Sequence, residues 1–124
     1  MKKTDNFIIG RLKSFKYAFV GMFKLITTEH SIMAQFCISI MVTMAGFYFE
    51  ISKTEWMFQS VAIGMVLSIE GLNTAVEKIA DFIHPDFNNS IGFIKDIAAG
   101  AVFFAAFTAI FIGIMIYYPL ISAL

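Results

Sequence analysis

Glu70, Asn73, Glu77 and Asp81 follow one another at steps of three, four and four residues in Ser68-Ile-Glu-Gly-Leu-Asn-Thr-Ala-Val-Glu-Lys-Ile-Ala-Asp81. At about 100° per helical residue all four share one stripe, and Gln59 lies on it three turns earlier. A polar seam on an otherwise apolar helix is a place for chemistry, because an acid inside hydrocarbon costs about 2.5 to 3.5 kcal/mol. Two more polar groups, Glu29 and Lys95-Asp96, flank apolar runs and are expected at the same level. Carboxylates from three helix ends plus a lysine suit a divalent cation and a polyphosphate. Taken singly they read more blandly: Asp96 as an acid at a helix start, Glu29 and Lys95 as interface charges, Glu77 and Asp81 as a water-exposed helical extension.

The elements that must position these groups follow from composition. The chain has 124 residues, 59% hydrophobic and 15% charged, which bounds it to one domain, 1–124, and leaves too little polar surface for a soluble one. Formal net charge is zero, yet Lys2, Lys3, Arg11, Lys13, Lys16 and Lys24 crowd the first 24 residues against Asp5 alone. Such a start faces anionic lipid on the cytoplasmic side, and nothing in it calls for nucleic acid. Lysines recurring through Lys24 speak against a cleaved signal peptide.

Apolar residues at Ile8, Leu12, Phe15, Phe19, Met22 and Ile26 predict an amphipathic interfacial helix over about 7–28, with Lys13, Lys16 and Lys24 on its other face. Ser31 to Phe49 is uncharged and spans about 29 Å as a helix, enough for a first transmembrane segment, 31–49. After a polar connection from Glu50 to Glu55, Trp56 stands where an interfacial aromatic belongs, and a second span over about 56–82 must carry Glu70 to finish its crossing. His84 to Gly92 reads as a turn-rich loop. A third span over about 95–118 precedes Pro119.

Three spans put the N-terminus and the Pro85 loop on one side, with eight lysines and arginines against Lys53 alone on the other. That side is cytoplasmic by the positive-inside rule. The expected fold is an all-α membrane protein. Small residues at four-residue spacing, Ser60, Gly64 and Ser68, then Ala101, Ala105, Ala109 and Gly113, suit close helix packing within or between subunits.

Other readings, among them a non-catalytic or ion-handling small membrane protein, fit the residues less well. Cys37 is the sole cysteine, so neither an intrachain disulfide nor a cysteine-cluster metal site can form. His30 and His84 lack partners at ligand spacing. No GxxxxGK[ST] or GxGxxG pattern occurs. A proton or ion pathway would need polar residues through the outer half of the second span, where Met57 to Met65 offers only Gln59, Ser60 and Gly64. A structural subunit would not need Asn73, Lys95 and Asp96 beside the acids.

Glu70-Gly-Leu-Asn73-Thr-Ala-Val-Glu77-Lys-Ile-Ala-Asp81 resembles the E-x-x-N-[ST]-A-x-E-x-x-x-D signature of prokaryotic diacylglycerol and undecaprenol kinases. Lys95-Asp-Ile-Ala-Ala-Gly-Ala-Val102 and the order of segments resemble that family too, over roughly Arg11 to Tyr118. The resemblance implies an ATP-dependent lipid kinase of the bacterial inner membrane, a homotrimer with sites between subunits, and Mg²⁺ as cofactor. It implies Glu70 as general base on the lipid hydroxyl, Glu29 and Glu77 as magnesium ligands, Asn73 positioning metal or phosphate, and Lys95 with Asp96 on ATP. Asp81, Gln35 and Arg11 would support these. Diacylglycerol, giving phosphatidic acid, is the expected acceptor and undecaprenol the alternative. Ser31, Met33 and Gln35 depart from the commoner residues after the Glu29 position, which puts any headgroup contact there in question.

Overall fold

The structure is a computed structural model that describes residues 6–124 as four helices, α1 (Phe7–Thr28), α2 (His30–Tyr48), α3 (Lys53–Ile83) and α4 (Asn89–Ser122). Among the described residues there is no strand. Lys2, Lys3 and Asp5, counted in the basic start, lie outside the described residues. By length and composition α2 and α4 are apolar enough to cross a membrane. α3 is long enough, about 46 Å, but its polar seam sets it apart.

The joints are local chemistry. α1 is capped by the Asn6 side chain, which accepts from the Ile9 N–H at 2.8 Å. It ends where the single residue Glu29 adopts an extended conformation (φ −109°, ψ 116°), after which α2 begins. α2 closes in a Schellman arrangement: the Ile51 N–H donates to the Gly46 carbonyl at 3.1 Å and the Glu50 N–H to Phe47 at 3.3 Å. This puts Glu50 at φ 51°, a left-handed position that favours glycine. Ser52 and Glu55 then form a reciprocal capping box, so α3 starts at Lys53, inside what reads in sequence as a polar connection.

α4 likewise starts early. The Asn88 side chain accepts from the Ser90 and Ile91 N–H groups, so Asn89, Ser90 and Gly92 are helical and the connection from α3 shrinks to five residues, 84–88. Lys95 and Asp96 therefore sit two turns inside α4 rather than at its start. α4 also runs past Pro119 to Ser122. A proline in the last turn removes one hydrogen bond near an end, less disruptive than a mid-helix position.

α3 and α4 form an antiparallel hairpin clasped twice. Lys95 meets Asp81 near the loop, and Tyr117 meets Gln59 near the far end. The partners lie 22 residues apart on each helix, so one register holds throughout. Glu70 is 11 residues from either clasp on α3, and Ala106 faces it at the same distance on α4.

The buried apolar residues are few and mostly slender: Ile32, Ile51, Ala62, Val66, Ala80, Ala105 and Ile116. Large ones point outward, Phe104 being 79% exposed and Phe82 90%. Such an arrangement suits a lipid solvent, where small residues let helices approach and large ones face hydrocarbon. At Gly46 a Cβ would stand 2.6 Å from the Trp56 ring, so the glycine lets α2 close onto the start of α3.

Candidate active site

Glu70 is buried, 8% exposed, among a run of buried α3 residues that includes Gln59, Ala62, Val66 and Thr74. This face packs inward, whereas the Ser60, Gly64 and Ser68 stripe faces out of the chain. The Thr74 hydroxyl donates to the Glu70 backbone carbonyl at 3.1 Å, which satisfies it without engaging the carboxylate. Gly71 admits the end of α1: a Cβ there would lie 3.2 Å from Leu25 Cδ1. Leu25 of α1 thus packs against α3 next to the acid.

One turn on, the Asn73 amide nitrogen donates to Glu77 Oε1 at 3.2 Å. That fixes the amide with its oxygen turned inward. Asn73 Oδ1 is shielded from solvent and has no hydrogen-bond partner. Buried acceptors are normally satisfied, so an orphan carbonyl oxygen beside an exposed carboxylate marks a place for a ligand.

Lys95 reaches this stripe from α4, its ammonium 2.6 Å from Asp81 Oδ1. Glu29 comes to α3 beside the stripe, from the α1–α2 joint. As N-cap of α2 its side chain makes no capping bond, and it pairs instead with Lys78 at 3.2 Å. Lys78 enters the sequence reading only as a basic residue of the cytoplasmic side, because it lies next to Glu77 but off the stripe; only the packing of the α1–α2 joint against α3 reveals its partner.

Other expected residues stand apart. Asp96 is exposed, and Lys95 turns to Asp81 rather than to this neighbour. The Arg11 guanidinium lies over the Phe7 ring of its own helix, 5.9 Å from the centroid. Gln35 lines a groove along α2, α3 and α4 with Gln59. Among the described residues no three of His, Cys, Asp and Glu converge as a metal site. The donor set still suits Mg²⁺, which keeps several waters and takes one or two carboxylates together with substrate phosphates. Glu77 and the unpartnered Asn73 oxygen are hard donors of that kind, adjacent on one face.

Known proteins resemble this chain in sequence. Residues 16–117 match the prokaryotic diacylglycerol kinase family. The chain is 36% identical over 107 residues to the undecaprenol kinase of Bacillus subtilis, covering 86% of this chain and 87% of that protein. It is 27% identical over 103 residues to a diacylglycerol kinase of Synechocystis, 82% of this chain and 59% of that longer protein. The matched stretch includes the seam on α3 and Lys95 on α4, and the chain belongs to the prokaryotic diacylglycerol kinase family.

Proposed function

We propose that the chain transfers the γ-phosphoryl group of ATP to the primary hydroxyl of a membrane lipid, with Glu70 as general base. The observation that carries this is the convergence on one α3 stripe of a buried carboxylate, an orphan amide oxygen, an exposed carboxylate and, from α4, a lysine. Phosphoryl transfer needs alignment and charge neutralisation more than covalent chemistry. Glu70 lies about 10 Å along the helix from Glu77, so it meets a hydroxyl held deeper than the polyphosphate.

Glu77, Asn73 and Glu29 would hold Mg²⁺, which neutralises phosphate charge when bound. Lys95 and Asp96 contact the nucleotide, and Asp81 holds Lys95 in place until phosphate competes for it. Glu29 is engaged by Lys78 within the chain. Its metal role calls for a neighbouring subunit to complete the site. The outward Ser60, Gly64 and Ser68 stripe supports a homotrimer packed through α3. In this reading α1 lies in the interface, α2, α3 and α4 cross the bacterial inner membrane, and the site faces the cytoplasm, as the eight-to-one split of basic residues favours.

Of the two acceptors, the sequence favoured diacylglycerol. The stronger likeness to an undecaprenol kinase over nearly all of both chains weighs for a polyprenol as the second reading. The test is phosphorylation by the purified chain, with labelled ATP, of each lipid in mixed micelles. Label transfer to neither lipid would sink the proposal; the ratio of the two products assigns the acceptor.

A further inference from the structure

Glu29 is the single residue between α1 and α2, extended in backbone and N-cap to α2, yet its side chain makes no capping bond. Its carboxylate turns to α3 instead, where Lys78 Nζ lies 3.2 Å from Oε1. The two partners are unlike. The side chain of the acid is 24% exposed and that of the lysine 71%. A lysine so placed, on a four-carbon stem mostly in solvent, can leave with little disturbance of packing. The acid is the stationary partner, because its backbone is held in the joint: its N–H donates to the Leu25 carbonyl at 3.3 Å and its carbonyl accepts from the Met33 N–H at 2.9 Å.

Glu77, the chain neighbour of Lys78, accepts from the Asn73 amide at 3.2 Å. Of the two carboxylates that the proposed function gives to Mg²⁺, one therefore has a neutral partner and the other a cation. An amide and a metal can share a carboxylate, since its two oxygens accept several bonds. An ammonium and a dication held on one carboxylate stand close together and repel each other.

We propose that Lys78 is a competing cation built into this site: it occupies the Glu29 carboxylate and is exchanged for Mg²⁺, so that it sets the Mg²⁺ concentration at which the site fills. The proposal rests on the assignment of Glu29 to Mg²⁺. No covalent bond is made or broken; one cation replaces another on the same carboxylate, and the ammonium goes to solvent. A pair this exposed holds together only loosely, so the exchange raises the Mg²⁺ requirement by about two- to fivefold. At low Mg²⁺ the same lysine spares the partly buried acid an uncompensated charge.

The test reads Lys78 itself as well as turnover. The full chain in detergent is acetylated with a water-soluble amine reagent in the presence of a non-hydrolysable ATP analogue, with Mg²⁺ either added or removed by chelator at one ionic strength. Mass spectrometry then gives the rate at Lys78 relative to Lys53, at the other end of α3. Mg²⁺ should raise the Lys78 rate about twofold or more in wild type, whereas Glu29→Gln should react at the higher rate with or without it. In steady-state assays Lys78→Met should lower the free Mg²⁺ for half-maximal rate by about two- to fivefold, and Lys78→Arg, which keeps a cation there, should not. Either a flat acetylation rate in wild type or an unchanged Mg²⁺ requirement in Lys78→Met overturns the exchange. A higher requirement in Lys78→Met overturns it too, since the lysine then positions Glu29 for the metal instead of competing with it. Glu29→Gln with a normal Mg²⁺ requirement fails the metal assignment beneath the proposal, a result read on the acid and not on the lysine.

Discussion

The Lys95 ammonium lies 2.6 Å from Asp81 Oδ1, across the α3–α4 hairpin and away from its chain neighbour Asp96. Both side chains are partly exposed, at 38% and 61%, so the pair contributes at most about 1 kcal/mol to stability. Its importance is positional: it holds a cation over the stripe that carries Asn73 and Glu77.

Lys95→Met is therefore expected to raise the KM for ATP tenfold or more while leaving the lipid KM within about twofold. Lys95→Arg should recover part of the loss, since the charge remains but its shape differs. Asp81→Asn should shift thermal unfolding in detergent only slightly. Steady-state kinetics with each substrate varied in turn, beside melting curves, separate these outcomes. A Lys95→Met protein with normal ATP dependence removes the lysine from the nucleotide site.

Glu70→Gln should lower kcat by roughly 10² to 10⁴, the usual contribution of a positioned general base. The fold should survive, because Thr74 bonds the backbone of Glu70 and not its carboxylate. Losing a buried charge relieves desolvation, so melting should stay level or rise. Single-turnover rates and gel filtration in the same detergent check both halves, and activity within tenfold of wild type rules out the base role.

Glu29 has two partners to choose between, Lys78 in the chain and the proposed metal. If metal binding dominates, Glu29→Ala raises the Mg²⁺ concentration for half-maximal rate several-fold and Lys78→Met does not. Matching effects of the two variants would assign Glu29 to the ion pair. Mixed subunits of Glu29→Ala and Glu77→Ala should regain activity if the site is shared between copies, and failure despite confirmed exchange contradicts a composite site.

Glu50 and Gly46 predict opposite signs at one joint. Glu50 occupies a left-handed position (φ 51°), so Glu50→Gly should stabilise by about 1 kcal/mol. Gly46→Ala drives a methyl to within 2.6 Å of the Trp56 ring and should destabilise by about 1 to 3 kcal/mol. Trp56 is the sole tryptophan, so its emission reports the displacement directly.

The sequence made α3 and its polar face readable, because a repeat of three and four residues survives whatever the helix packs against. Pairings across helices were not readable. Lys95 finds Asp81, and Tyr117 finds Gln59, only through a hairpin register set by both contacts together. Helix ends failed where one side chain overruled composition. Asn88 turns an Asn-Asn-Ser stretch that looks like loop into a helix start, while Ser52 with Glu55 begins α3 before Trp56. The second of these was there to be seen as S-x-x-E.

The five residues that join α3 to α4 also constrain how such a chain enters a bilayer during synthesis. α3 alone carries Glu70, Glu77, Lys78 and Asp81 and is a poor substrate for the insertion machinery, which tolerates few charges in a segment. α4, uncharged after Asp96, is an excellent one. In the proposed topology, where α3 also crosses, a connection this short delivers the two as a unit, so that the apolar partner carries the polar one in and shelters its acids. Lengthening the 84–88 linker should accordingly reduce yield in the membrane before it alters turnover of the molecules that do insert.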